Sequence, residues 1–299
     1  MDLVLSVDRL PRAGETIAGG DLALYPGGKG ANQACAAGRL GGRVSMIALV
    51  GQDAFGDRLI ESLQQSGVET RGVGRSDRAT GCASIYVMPN GENSIVISPG
   101  ANAALDPAAA LARLDRIQSG DYLLGQLETP LETVQAVFQA ARTARALIIL
   151  DPAPARALPE ALLGLVDFLT PNQTEAATIL GAPDMQIRSF QDAAEAATQI
   201  LKLGPAGVVM KLGSLGCFVH TPNFVGPVEA FPVSAVDTTA AGDVFNGAFA
   251  VALAEGRPVA EAARFANAAA AISVTRPGAQ SSVPTREEAS AFLAASGGD

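Results

Sequence analysis

Hydrophobic and polar positions alternate along this chain in short blocks, and the block lengths predict strands and helices in turn. Residues 3–7 form an apolar run of strand length, and residues 16–25 hold one or two further strands broken by Gly19-Gly20. Residues 44–50 are a third apolar strand. Residues 53–65 place Phe55, Leu59, Ile60 and Leu63 on one face at helical spacing. Segments 82–88 and 94–98 flank Pro89-Asn90-Gly91-Glu92, a hairpin signal centred on Asn-Gly. Strands at 122–127, 146–150, 168–169 and 207–212 then alternate with helices near 107–117, 131–142, 174–180 and 193–203. This alternation predicts a doubly wound, mostly parallel α/β sheet covered by helices on both faces. An Ala-rich helix spans 258–274, Thr285 with Glu288 caps a last helix, and Gly297-Gly298-Asp299 is a tail. With no repeat, low-complexity block or linker, the pattern predicts one domain over residues 1–299.

In such sheets ligands bind beyond the carboxyl ends of the strands, and polar clusters fall at those ends. They are Gln126-Leu127-Glu128, Asp151-Pro152-Ala153-Pro154, Pro171-Asn172-Gln173-Thr174-Glu175 and Lys211-Leu212-Gly213-Ser214-Leu215-Gly216. Each has a purely structural counterpart: Asn172 with Glu175 fits a capping box, Glu128 a solvated loop carboxylate, and the 213–216 segment a turn. Two stretches are denser. Pro26-Gly27-Gly28-Lys29-Gly30-Ala31-Asn32-Gln33-Ala34 is a glycine-rich loop opening a helix, without the spacing of a Walker loop. Either Lys29 and Asn32 meet a polar ligand there or the loop is a flexible turn. In Asp237-Thr238-Thr239-Ala240-Ala241-Gly242-Asp243, small residues precede an apolar helix. Its first N–H groups make an anion site unless Asp237 and the threonines serve only as caps.

Composition narrows the field. The chain has 299 residues, 48% hydrophobic and 17% charged, which describes a globular protein with a large core. Its 30 acidic and 21 basic residues, net charge −9, and lack of Lys/Arg runs predict no nucleic-acid partner. One histidine, His220, excludes a His-based metal site. Cys35, Cys82 and Cys217, odd in number and widely spaced, fit free thiols in a reducing cytoplasm. No apolar run reaches the ~18 residues of a membrane span, and the start has no signal-peptide pattern.

Taken in order, these motifs resemble the ribokinase-like (PfkB) sugar kinases over nearly the whole chain. Gly27 to Ala34 is similar to that family's sugar-side signature, and Asp237 to Asp243 to its catalytic signature. The resemblance implies a doubly wound α/β sheet with a small β-lid over residues 15–25 and 82–98, and a homodimer through the lid. It implies ATP-dependent phosphorylation of D-ribose at the 5-hydroxyl to give D-ribose 5-phosphate. The alternatives are a kinase for deoxyribose or a nucleoside, or a catalytically silent sugar- or nucleotide-binding regulator.

By the same resemblance Asp243 is the general base, and Ala240, Ala241, Gly242 and Asp243 form the backbone anion hole. Asp2, Gly28, Lys29, Gly30, Asn32 and Glu128 meet the sugar. Asn172, Lys211, Leu212, Gly213, Ser214, Leu215, Gly216, Gly242 and Asn267 meet ATP. Glu175 organises Mg²⁺ through water, and Asp237, Thr239, Ser273, Arg276, Gly278 and Ser282 hold an activating K⁺. The resemblance also expects one more apolar strand before Asp2, ending in an Asn that meets the sugar. That first strand is missing from the sequence as it stands, which begins Met1-Asp2.

Overall fold

The computed structural model describes residues 1–90, 92–114 and 117–296. Gly91 of the expected hairpin turn, residues 115 and 116 of the expected 107–117 helix, and the 297–299 tail lie outside them. In chain order, β1 (Asp2–Ser6) and β2 (Leu22–Tyr25) lead into α1 (Lys29–Arg39). Next come β3 (Val44–Ser45), β4 (Ala48–Gly51), α2 (Ala54–Gln65), β5 (Val68–Glu69) and β6 (Val73–Ser76). The hairpin strands β7 (Cys82–Val87) and β8 (Asn93–Ser98) are followed by α3 (Pro107–Leu111). Then β9 (Tyr122–Gly125), α4 (Leu131–Thr143), β10 (Leu147–Leu150), α5 (Glu160–Leu163), β11 (Phe168–Leu169) and α6 (Gln173–Ile179) alternate. The chain ends with α7 (Phe190–Leu201), β12 (Val208–Lys211), β13 (Gly216–Thr221), β14 (Phe224–Glu229), α8 (Ala241–Ala254), α9 (Val259–Ser273) and α10 (Arg286–Ser296).

The main sheet has the order β14-β13-β12-β11-β10-β9. Strands β9 to β12 run parallel, and β13 and β14 add an antiparallel hairpin at one edge. Because side chains alternate across a strand, β10 and β12 feed two cores. Ile149 and Val209 face a cluster with Val244, Phe249 and Phe265 of α8 and α9. Ile148, Leu150, Val208 and Met210 face a second cluster with Phe138 of α4 and Ile200 of α7. Full burial of each such side chain stabilises the fold by roughly 1.5–3 kcal/mol. Helix α8 is buried from Asp243 to Leu253 without a polar stripe, as expected of a helix packed on all sides. It packs against both α1 and α9.

Four expectations change. The 44–50 strand divides into β3, paired with β5, and β4, paired with β6, each parallel. The lid is a four-stranded sheet of order β2-β1-β7-β8, so the first strand of this chain joins the lid. Within 15–25 only Leu22–Tyr25 is strand; Glu15 instead pairs with Arg9 and accepts the Arg12 N–H at 2.9 Å. No ladder joins β9 to β4 among the described residues. The helix after Asp106 stops at Leu111. No helix among the described residues is long and apolar enough to cross a membrane.

Candidate active site

The N-terminus of α8 is the centre of the site. Ala240 adopts a left-handed conformation at φ 59, which turns the chain sharply into the helix and places Asp243 in its first turn. The Ala241 N–H is directed to the Thr238 carbonyl at 3.2 Å. Among the described residues, the N–H groups of Ala240, Gly242 and Asp243 meet no protein acceptor. Of the four donors expected at the anion hole, the Ala241 N–H thus has a partner within its own turn and the other three are open among the described residues.

Asp243 is 5% exposed, and both its oxygens are held by α1. Asn32 Nδ2 donates to Oδ2 at 3.0 Å and Gln33 Nε2 to Oδ1 at 3.1 Å. Burial pushes its pKa up to about 6; Lys29, Asn32 and Gln33 oppose the rise and Asp151 adds to it. Asn32 Oδ1 in turn accepts from Gln280 at 3.1 Å. The α1–α8 approach depends on Gly247, since a β-carbon there would lie 2.6 Å from the Gln33 carbonyl oxygen.

The residues expected to meet a sugar gather around the start of α1. Gly28 precedes the helix at φ 94, a conformation that favours glycine, and the Lys29 N–H donates to Glu128 Oε2 at 2.9 Å. Burial works against the Lys29 ammonium. The carboxylates of Asp243, Asp151, Glu128 and Glu175 together outweigh it and raise the lysine's pKa. A β-carbon on Gly27 would run into the Asp2 carboxylate, and one on Gly30 would stand 2.9 Å from Gln126 Oε1. At both positions the neighbours are the ends of side chains, which a β-carbon would have to displace. Burial raises the Asp2 pKa.

On the other side, Asn172 caps α6 in a capping box with Glu175, which is 7% exposed. Glu175 Oε2 accepts the Asn172 N–H at 2.8 Å and Oε1 its Nδ2 at 2.9 Å. Burial raises the Glu175 pKa against the attraction of Lys211. Asn172 also bridges Lys211 in parallel register. Gly213–Leu215 is one turn of 3-10 helix, opened by Gly213 at φ 59 and closed by Gly216 at φ 102. Asn267 behaves differently from the others. It is 6% exposed, and its Nδ2 donates to the Val228 and Glu229 carbonyls at 2.9 and 3.1 Å, clamping β14.

The residues expected to hold a monovalent cation are brought together in part. Asp237 Oδ1 accepts the Thr239 N–H at 2.9 Å and Oδ2 the Gly278 N–H at 2.8 Å. Burial pushes the Asp237 carboxyl up, and these hydrogen bonds outweigh it, leaving its pKa lowered. The Val236 and Asp237 N–H groups both reach the Val274 carbonyl. The hydroxyls of Ser273 and Ser282 donate to Ala270 and Ala279 carbonyls, and the Arg276 guanidinium pairs with Glu288.

Sequence reading missed the middle of the site. Gln33 is 1% exposed and joins two buried carboxylates, donating to Asp151 Oδ2 at 2.8 Å as well as to Asp243. Its Oε1 accepts from Gln126 Nε2 at 2.5 Å. Asp151 Oδ1 pairs with Lys211 Nζ at 2.8 Å. An amide and a carboxylate at positions otherwise patterned as buried were the available signals.

Known proteins resemble this chain over nearly its whole length. Residues 1–286 match the model of the pfkB family of carbohydrate kinases. A ribokinase from Haemophilus influenzae is 43% identical over 98% of this chain and 95% of its own length. A deoxyribokinase from Salmonella typhi is 34% identical over 98% and 95%. The structure of an Arabidopsis thaliana ribokinase complexed with ribose and ATP superposes with a TM-score of 0.89. It is 33% identical over 98% of this chain and 95% of its own.

Proposed function

The chain belongs to the pfkB family of carbohydrate kinases, and from that premise we propose that it phosphorylates D-ribose at the 5-hydroxyl with ATP. The observation that carries the reading is Asp243: buried, fixed by two amide donors, and set beside the free N–H groups that open α8. Each carboxylate oxygen keeps a second lone pair for a proton. Asp243 takes the proton of the sugar hydroxyl as the O5–Pγ bond forms. The bond from Pγ to the bridging oxygen breaks, and its electron pair leaves with ADP. The N–H groups of Gly242 and Asp243 stabilise the charge on the migrating phosphoryl group without a large positive field. An acidic protein handles ATP in this way.

Glu128, fixed by the Lys29 N–H, receives sugar hydroxyls together with Asp2, Lys29, Asn32 and the backbone at Gly28 and Gly30. This set suits a free polar pentose better than a nucleoside, whose base wants an apolar or aromatic wall. Asn172, Lys211 and the 212–216 turn take the nucleotide. Asn267 serves the same side indirectly, by holding β14.

Both Glu175 oxygens are engaged by Asn172, and no cluster of three His, Cys, Asp or Glu residues able to hold a metal occurs among the described residues. These residues fit a Mg²⁺ that arrives with ATP and meets Glu175 through its own waters; bound, it neutralises phosphate charge. Asp237, Thr239 and the backbone oxygens of Ser273, Arg276, Gly278 and Ser282 fit a large oxygen-seeking cation, K⁺. The lid pairs two copies of the chain through exposed Leu22, Ile95, Val96 and Ile97. The enzyme works in the cytoplasm, in keeping with three unpaired cysteines.

The test is ADP release with ribose, 2-deoxyribose and adenosine as acceptors, in K⁺ and in Na⁺ at matched ionic strength. Ribose should give the highest kcat/KM, with K⁺ the better activator. Faster turnover of deoxyribose or adenosine would reassign the substrate. No ADP from any acceptor would leave a silent binding protein. Equal rates in the two salts would reduce Asp237 to a loop brace.

A further inference from the structure

The ammonium of Lys211 lies at the boundary between the nucleotide side and the base. It is 87% buried by its side-chain exposure of 13%, against 3% exposure for Asp151. Nζ donates to Asp151 Oδ1 at 2.8 Å, and its other two N–H groups meet no protein acceptor among the described residues. Nζ stands 3.4 Å from the point where a β-carbon on Gly242 would be. The spare donors of the lysine and those of Gly242 and Asp243 therefore form one patch, at the end of α8 where a phosphoryl group would arrive. Behind the lysine, Asp151 Oδ2 accepts from Gln33 Nε2, and the same nitrogen reaches Asp243. The amide cannot turn over freely, because its oxygen accepts from Gln126. One side-chain network thus fixes the cation and the base relative to each other.

Resting on the kinase reading, we propose that Lys211 is the cationic contact of the transferring phosphoryl group, and that Asp151 and Gln33 position it against the catalytic base. The lysine supplies charge where the backbone supplies only dipoles, and Asp151 keeps it from swinging into solvent when the nucleotide leaves. A bare counter-ion role for Lys211 makes a different prediction. A buried carboxylate needs a partner, so removing either member alone is destabilising, while removing both charges is tolerated.

The experiment compares wild type with Lys211→Met, Asp151→Asn and the double variant, each carrying Mg²⁺. Melting temperature, affinity for AMP-PNP and for adenosine, and kcat with saturating ribose are measured. The double variant should melt close to wild type and bind adenosine as well. It should bind AMP-PNP about tenfold more weakly, and kcat should fall by about 10²-fold, the usual weight of one donor to a transition-state anion. Asp151→Asn alone should lower kcat less than Lys211→Met does. Recovery of wild-type kcat and AMP-PNP affinity in the double variant would overturn the proposal and leave Lys211 as a counter-ion. The comparison of AMP-PNP with adenosine needs no sugar. A wild type that fails on every acceptor would thus refute the functional reading, while selective loss of AMP-PNP binding would still support the role of Lys211.

Discussion

Asp243 draws its chemistry from burial. A carboxylate in open solvent would be a weak base; enclosure by α1 and α8 raises its pKa to about 6, close to working pH, where general bases are most effective. The sign follows directly. Its folded pKa is raised, so the neutral form is the one the fold favours. The stability tied to that form is complete at acid pH and is lost as pH rises through about 6. With Asp243 as the proposed base, activity should run the opposite way, because only the ionised form accepts a proton. We expect log kcat/KM to fall with a slope near one below pH about 6, and Asp243→Asn to lower kcat by about 10²–10⁴-fold. The variant should melt no more than a few degrees from wild type at pH 7. It removes a buried charge, while its amide leaves one donor facing Asn32 or Gln33, a loss of about 1–3 kcal/mol. A pH profile and a melting curve for each protein check both statements. A flat acid limb in wild type, or full turnover in the variant, would remove Asp243 from the role of base.

At the scale of elements, the site is a junction of two helix starts. Helix α1 brings Asn32 and Gln33 on consecutive residues, and α8 brings Asp243 in its first turn; Gly247 lets the two backbones close. A β-carbon at Gly247 would stand 2.6 Å from the Gln33 carbonyl and 2.7 Å from the Ala36 side chain, inside contact distance for a rigid neighbour. Gly247→Ala should therefore push α1 away from α8. Overpacking of this kind is destabilising by typically 1–3 kcal/mol, and a shift well under an ångström loosens both hydrogen bonds to Asp243. The expected result is a lower melting temperature together with a reduced kcat, while KM for ATP changes little because β12 and α6 are untouched. An unchanged kcat in a destabilised variant would show that α1 can move without disturbing the base.

For the molecule as a whole, the lid carries a group of exposed apolar side chains. Ile95, Val96 and Ile97 on β8 are 52%, 65% and 62% exposed, and Leu22 on β2 is 57% exposed, an apolar surface of a kind that marks an interface. Ile95→Glu with Ile97→Glu should shift the mass in light scattering from a pair of chains to a single one of 30.3 kDa. A wild-type protein that already runs as one chain would exclude the dimer. The variant should also raise KM for ribose, since the strand next to β8 pairs with β1, which carries Asp2.

The alternating elements, the layered α/β architecture and the two motif stretches at 27–34 and 237–243 are legible in the sequence alone. Those features are written in local pattern: short continuous apolar runs for β10 and β12, which are covered on both faces, a capping box at Asn172 and Glu175, glycines before α1, and small residues before α8. Tertiary structure decided what depends on residues far apart in the chain. It put β1 into the lid, because Asp2–Ser6 found partners in β2 and β7, and it split residues 44–50 between two short pairings. It also assembled Gln33, Asp151 and Lys211 around Asp243 over separations of 60 to 210 residues. No spacing rule encodes such contacts. A glutamine beside Asn32 reads as an ordinary helix residue until a second helix start is packed against it. Local propensity fixes where the backbone donors begin; only the packing of α1, α8 and β12 fixes which of them, and which charges, face the same point.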